Sequence, residues 1–372
     1  MSANDEIGLF AGGHRARMYD DPVESPPKAI RNESTAEPQP ASPPPPPPSP
    51  QPPAPQPLAP GSGVEALMGE LAPLPPVEEA PASPGAWERL LIKVGAKQAP
   101  PTQAELEDVE NERIVRQSTW TRAMSAVVVN PKGGSMKTPL TLLLSGAIAE
   151  IRGGGVAAWE ATEVPADLAA IAEGRPPRGL GELLAARDMV QSAGTLAGYT
   201  APQTSHAAVI GSVSNREELS PADVWAVRAL LGTYYQVEIA DTGNNLQRPA
   251  TETLLEGADA IVIPCVVNHK SARGLERALR AAERIPSLRG RAILVVSHDG
   301  GPEDAEFAQT LTAQLAHHFR TKAIVEIPFD PAIRADGELT YSALQPATRL
   351  AIRRVARHVI ECFNNAPFNE SE

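Results

Sequence analysis

The residue types that could do chemistry in this chain gather in one loop, Asn130-Pro-Lys-Gly-Gly-Ser-Met-Lys-Thr-Pro139. Glycines let a backbone approach a ligand closely, and the N–H groups of such a loop face inward with the open N-terminus of the helix that follows. Both favour an anion. The spacing sets Lys137 to reach the β- and γ-phosphates of a nucleotide and the Thr138 hydroxyl to hold Mg²⁺. Gly133, Gly134, Ser135, Met136 and Pro139 complete the cradle, and Lys132 adds a second cation at its start. Carboxylates recur at two other places, Trp159-Glu-Ala-Thr-Glu163 and Val237-Glu-Ile-Ala-Asp241.

Such a loop needs a strand before it and a helix after it. Ala126–Val129 is a short β-branched run, and Leu140–Ala149 reads as a buried helix. Gly153-Gly-Gly155 ends that helix, and Val156–Glu160 reads as the second strand. Apolar runs at 206–211, 235–241, 258–267, 291–297 and 322–327 alternate with helical stretches. The alternation predicts an α/β fold with a mostly parallel sheet of about seven strands, covered by helices on both faces. Ligands then lie at the carboxyl ends of the strands, where the loop is.

Strand, Gly-rich loop and Lys-Thr helix form a P-loop signature. Lys132-Gly-Gly-x-x-Lys137-Thr138 resembles the deviant Walker A motif of the ParA/MinD family of dimerising ATPases, and the resemblance runs over roughly residues 121 to 363. It implies ATP and Mg²⁺ as cofactors and a homodimer formed on ATP binding, with Lys132 reaching the partner's nucleotide. Asp241, in Asp241-Thr-Gly-Asn-Asn245, matches the switch carboxylate that holds Mg²⁺ through water. Glu160 falls at the first acidic position after the second strand and joins the metal candidates. Pro328, in Ile327-Pro328, matches a segment beside the adenine, although the family's usual Asn is not evident in Ser297-His-Asp299.

Two positions depart from the family. Met136 stands where it has glycine; if that position requires φ > 0, the penalty is about 1–2 kcal/mol, or about ten-fold in affinity. Thr162 stands where a second carboxylate positions the attacking water. A threonine hydroxyl is no base at neutral pH, and losing such a group costs about 10²–10⁴-fold in rate. Glu163 is one residue along and could substitute, but strand alternation would point it the other way.

Arginines recur at helical spacing in two places: Arg273, Arg277, Arg280 and Arg284, and Arg349, Arg353 and Arg357 with Arg354 alongside. By the resemblance, such faces bind DNA without sequence preference; otherwise they are solvated helix faces. A net charge of −12 argues against wrapping nucleic acid wholesale.

Composition divides the chain. Many of its 39 prolines precede residue 102, with an unbroken run from Pro43 to Pro48. Residues 1–83 therefore read as a disordered, Pro-rich tail, a spacer or a docking strip for an adaptor or polar scaffold. Residues 84–120 read as a helical connector, with one short helix around Trp87 and another from about Pro100 to Ile114. Residues 121–364 are the ATPase domain, and 365–372 an acidic tail. No signal peptide is evident, and no run approaches the roughly 18 apolar residues of a membrane span. The expected location is cytoplasmic, with Cys265 and Cys362 reduced and inert, and Trp120, Trp159 and Trp225 packing inside.

Two functions remain open. The first is an ATP-dependent dimerising switch that partitions or positions DNA or a polar complex, with slow hydrolysis. The second is an inactive relative, a scaffold or adaptor of secretion, division or mobile-element systems that binds nucleotide weakly or not at all.

Overall fold

A computed structural model describes residues 100–267, 291–300, 309–310, 312–313, 323–335 and 337–366. The Pro-rich tail, the segment around Trp87, the helix carrying Arg273, Arg277, Arg280 and Arg284, and the acidic tail lie outside the described residues.

In chain order the elements are α1 (Gln103–Gln117), β1 (Met124–Val128), α2 (Lys137–Arg152), β2 (Val156–Ala161), α3 (Leu168–Ile171), α4 (Leu180–Ala185), α5 (Ala193–Ala197), β3 (Ala201–Pro202) and β4 (Ala208–Ile210). There follow α6 (Pro221–Tyr234), β5 (Val237–Thr242), α7 (Pro249–Glu256), β6 (Ala260–Val266), β7 (Ala292–Ser297), β8 (Ile324–Ile327), α8 (Pro331–Arg334) and α9 (Pro346–Asn364). Among the described residues the sheet has eight strands in the order β3-β4-β2-β5-β1-β6-β7-β8. Every pairing is parallel except β3 with β4. The strand beyond the expected seven is β3, two residues at the edge and too short to show as a periodic pattern.

The central strands are apolar runs because both their faces are covered. Met124, Ala126 and Val128 of β1 pack in one core with α2 and α9, while Val127 and Val129 pack in a second core with α4, α6 and α7. Helix α2 is buried along most of its length and stops at Gly153, whose φ of 76° suits a residue without Cβ. Helix α6 begins with a Ser220–Asp223 capping box and Pro221 in its first turn. Helix α9 is amphipathic and buries Ile352, Val355, Val359, Ile360 and Phe363.

Trp159 is fully buried and Trp120 meets Phe363 edge-on at 5.4 Å between ring centroids. Trp225 departs from the expectation of packing. It is 53% exposed on α6, with the Arg228 guanidinium 5.4 Å from its ring. Both cysteines are free, and burial raises their thiols to about 12 (Cys265) and about 11 (Cys362). No described helix is long and apolar enough to cross a membrane.

Candidate functional site

The loop between β1 and α2 is organised by Asn130, a buried side chain at the carboxyl end of the central strand. Its amide donates to the Pro264 carbonyl at 2.6 Å, and its carbonyl accepts the Lys132 N–H at 2.9 Å. Gly134 turns the chain with φ 69°. Helix α2 then starts with Met136 as its N-cap, Lys137 first and Pro139 third. A proline there removes no helical hydrogen bond, because the first-turn N–H groups have no partners within the helix.

Met136 adopts φ 73° and ψ 17°, the left-handed region. The conditional penalty read from the sequence therefore applies to the backbone. Its side chain is buried, and the Ser297 hydroxyl at the end of β7 donates to its sulfur at 2.9 Å. The strain is thus carried by a residue whose side chain packs in the core with α2 and α9.

Lys137 is 8% exposed and donates to Asn244 Oδ1 at 2.7 Å and to the Lys132 carbonyl at 3.2 Å. Burial lowers its pKa, while the carboxylates of Asp241 and Glu163 oppose that shift. The Thr138 hydroxyl donates to Asp241 Oδ2 at 2.7 Å. Asp241 is fully buried, which pushes its pKa up to about 7 against the pull of Thr138 and Lys137. Its Oδ1 and the Ser135 hydroxyl are buried with no hydrogen-bond partner. Such orphans are costly unless a ligand completes them.

A cavity of about 340 Å³ opens beside these groups, lined by Gly134 through Pro139 and by Asp167, Ser297, His298, Pro328 and Asp330 among others. Met136 lines this space without closing it. An anion at the loop and a hard cation between Thr138 and Asp241 Oδ1 fit the donor set.

The carboxylate cluster after β2 differs from its sequence reading. The register sets Glu160 opposite Asp241, but Glu160 is tied elsewhere. Its Oε1 accepts from the Ser212 hydroxyl and from the Ala166 N–H at 3.1 Å, and lies 3.5 Å from Arg216 Nη2. Only Oε2 is left without a partner. Thr162 lies past the end of the strand, donating to the Val164 carbonyl at 2.6 Å and accepting from Arg216 at 3.2 Å. Its hydroxyl fastens a turn.

Glu163 corrects the alternation argument. Because β2 ends at Ala161, pleating no longer governs its direction. Its carboxylate lies over Gly243 and accepts the Asn245 N–H at 3.1 Å, on the side where Lys137 feels its charge. A Cβ on Gly243 would fall 1.6 Å from Glu163 Oε2, so the contact requires glycine.

Arg216, Asn244 and Asn130 are the site residues that motif reading passed over. Asn244 lay within the Asp-Thr-Gly-Asn-Asn signature and could have been singled out. Arg216 sits in a loop without periodicity and gave no signal. Lys132 and Gly133 lie at the start of the loop and do not line the cavity.

The arginine stripe of α9 is not the open face that spacing suggested. Arg353 is 16% exposed and pairs with Asp108 at 2.7 Å and Glu112 at 2.8 Å, both on α1. Arg354 pairs with Glu107, and Arg357 with Glu361 at 2.8 Å. Arg349 is half-buried at the start of the helix. Sequence spacing gave the helix face correctly and could not show that α1 covers it.

No protein-family profile matches the chain. The ESX-1 secretion-associated protein EspI of Mycobacterium tuberculosis is 22% identical over 244 residues, covering 64% of this chain and 36% of that protein. The match thus spans little more than a third of the relative's length. Among solved structures, a ParA family ATPase from Chlorobium tepidum covers 64% of this chain and 96% of its own, at 14% identity and TM-score 0.48. The MinC:MinD cell division complex of Aquifex aeolicus gives the same three coverage and score values at 17% identity. The sheet order, the turn into α2 and the Lys137–Thr138–Asp241 grouping give this chain a P-loop fold.

Proposed function

We propose that the chain is a nucleotide-dependent switch that dimerises on binding ATP and Mg²⁺ and positions a polar or secretion-type complex, with slow turnover. The observation that carries this reading is a cavity lined by Ser135, Lys137 and Thr138, with Asp241 bonded to the Thr138 hydroxyl and buried, unpartnered oxygens on Asp241 and Ser135. Bound ATP with Mg²⁺ would supply a phosphoanhydride whose cleavage resets the switch. Lys137, released from Asn244, would hold the terminal phosphates, and the loop from Gly133 to Thr138 would cradle them with Pro139 setting the helix start. Thr138 and Asp241 would hold the metal, Pro328 would flank the base, and Lys132 would reach the partner's nucleotide. Slow turnover follows from the Thr162 hydroxyl and Glu160 being tied into the Arg216 network, which leaves Glu163 as the carboxylate best placed to orient water.

The choice of a protein cargo over DNA rests on two supports. Arg353 and Arg354 are paired with α1, and the matched mycobacterial relative carries a secretion-associated name. The Pro-rich tail would recruit the adaptor. The tied Thr162 and Glu160 also favour the second reading, a scaffold that holds nucleotide without turning it over.

Binding of ATP and ADP with Mg²⁺, measured by calorimetry with mass by light scattering, tests the proposal. ATP that binds and doubles the mass, while ADP does not, supports the switch. Lys137→Ala should abolish binding, and Lys132→Ala should keep binding but lose the dimer. No binding at millimolar ATP would sink the nucleotide reading and leave a scaffold with an ATPase fold.

A further inference from the structure

Helix α1 packs on the protein with its polarity inverted. Its large apolar side chains Leu106 and Val109 face outward, 55% and 66% exposed, while the carboxylates of Glu107, Asp108 and Glu112 face inward onto α9. Beneath it, Asn111 is fully buried, and neither atom of its amide has a hydrogen-bond partner. Asp108 Oδ1 and Arg353 Nε are buried and unpartnered too. Its apolar anchors lie in the last turn, where Val115 is buried and Ile114 packs partly buried against the same core. The rest of the helix is held by ion pairs, Glu107 with Arg354, and Asp108 and Glu112 with Arg353, while Arg152 ties the Val115 and Ser118 carbonyls of its last turn to α2 and Arg116 bonds the Ile151 carbonyl. Past its end there is a separate fastening, where Trp120 donates to Asn364 at 3.0 Å, packs edge-on against Phe363 and carries the Arg152 guanidinium over its ring.

We propose that the arginine face of α9 is a docking surface for an acidic helix of a partner protein, and that α1 occupies it in cis until displaced. The seat has the form of a helix, because a helix lies in it. Its charges match carboxylates at positions i, i+1 and i+5, as Glu107, Asp108 and Glu112 show. The two helices run in the same direction, with Glu107 beside Arg354 and Ser118 beside Asn364. A competing helix that repeats the acidic spacing and brings an apolar residue to the place of Asn111 would satisfy the seat better than α1 does. Nucleic acid is disfavoured by the chain's net charge of −12. The Trp120 fastening keeps α1 tethered, so displacement is reversible and needs no unfolding of the sheet.

The test uses the full chain and a fluorescent peptide of its own residues 102–118. In the variant Glu107→Lys/Asp108→Lys/Glu112→Lys, repulsion from Arg353 and Arg354 frees the seat. The peptide should then bind at least about ten-fold tighter than to the unmodified chain, and adding Arg353→Glu with Arg354→Glu should remove that gain. Equal binding to all three proteins overturns the proposal. So does a variant that ignores the peptide but takes up random-sequence duplex DNA with steep salt dependence, since the face would then read phosphates. Hydrogen exchange on the unmodified chain gives a second arm, independent of whether the variant folds. Amides of α1 should exchange at least about ten-fold faster than those of α9. If the two helices exchange together, α1 is not a separable element and the proposal fails.

Discussion

Arg216 is a buried cation at the centre of the rearranged end of β2. Its side chain is 3% exposed and Glu160, its partner, is fully buried. It donates to the Ser212 hydroxyl at 2.9 Å, the Thr162 carbonyl at 2.8 Å and the Glu163 carbonyl at 3.3 Å, so it ties the end of β2 to the loop after β4. Burial lowers its pKa, and the charge of Glu160 opposes that shift. Arg216→Met keeps much of the volume but leaves a buried carboxylate with only Ser212 and the Ala166 N–H. Breaking one side of a buried pair costs about 3–5 kcal/mol. For a domain of this size each kcal/mol moves the melting temperature by about 2–4 °C, so the expected fall is roughly 6–20 °C. Urea denaturation of the single variants and of Arg216→Met/Glu160→Gln forms a cycle. The double variant should be more stable than Arg216→Met, because the uncompensated charge is gone. A loss below about 1 kcal/mol for Arg216→Met, or strict additivity in the cycle, would refute the clamp.

Three further perturbations follow from the same cluster. The folded Asp241 has its pKa raised from 3.8 to about 7, so between these values the native state holds a proton that the unfolded chain has released. In metal-free buffer its contribution to stability is therefore full below about pH 4 and is lost as pH rises through 7. The size is at most about 4 kcal/mol. Thermal melts in chelator should show this slope in the unmodified chain and a flatter one in Asp241→Asn; equal slopes would count against it. Gly243→Ala should displace the Glu163 carboxylate and with it the bond to the Asn245 N–H, costing about 0.5–1.5 kcal/mol, and by chemical denaturation Gly243→Ala/Glu163→Ala should cost no more than Glu163→Ala alone. Met136→Gly relieves about 1–2 kcal/mol of left-handed strain but deletes a buried side chain whose loss costs about 2–5 kcal/mol. The melting temperature should fall, while calorimetric ATP affinity stays within about three-fold, because Met136 already holds the left-handed turn before any ligand binds, which assigns the strain to folding and not, as the sequence suggested, to affinity. A ten-fold gain in affinity would show that the side chain obstructs the site.

The parts of the fold set by local pattern were legible in the sequence. Apolar runs bounded by turns marked seven strands, and the loop with Lys137 and Thr138 followed from residue type and spacing alone. The left-handed Met136 was legible as a question, since only the backbone could say whether that position needs φ > 0. What failed was inference about direction beyond an element's end. Alternation pointed Glu163 away because it was carried past Ala161, where the strand stops and the turn over Gly243 takes control. The arginines of α9 failed for a different reason. Periodicity gives the face of a helix, but the occupant of that face is a non-local fact, here α1, more than two hundred residues earlier in the chain.

The two departures from the phosphate-loop pattern are built into packing in different ways. Met136 departs at the backbone, and its side chain joins the core at the end of β7 through Ser297. Thr162 departs in chemistry, and the groups around it are rearranged: Arg216 takes its hydroxyl and carbonyl, Ser212 and Arg216 take Glu160, and Glu163 swings to the switch loop across Gly243. A decayed site would leave orphaned groups where its motif broke. Here Met136 and Thr162 are both partnered and one oxygen of the rearranged cluster, Glu160 Oε2, is left over, while Ser135 and Asp241 Oδ1 are unpartnered where an anion and its cation fit. Local rules broken with compensation close at hand are the mark of a site kept for use. On the proposed reading this separates two properties usually read together: the unpartnered oxygens at the loop favour retained binding of a nucleotide, and the rearrangement around Thr162 favours its slow hydrolysis.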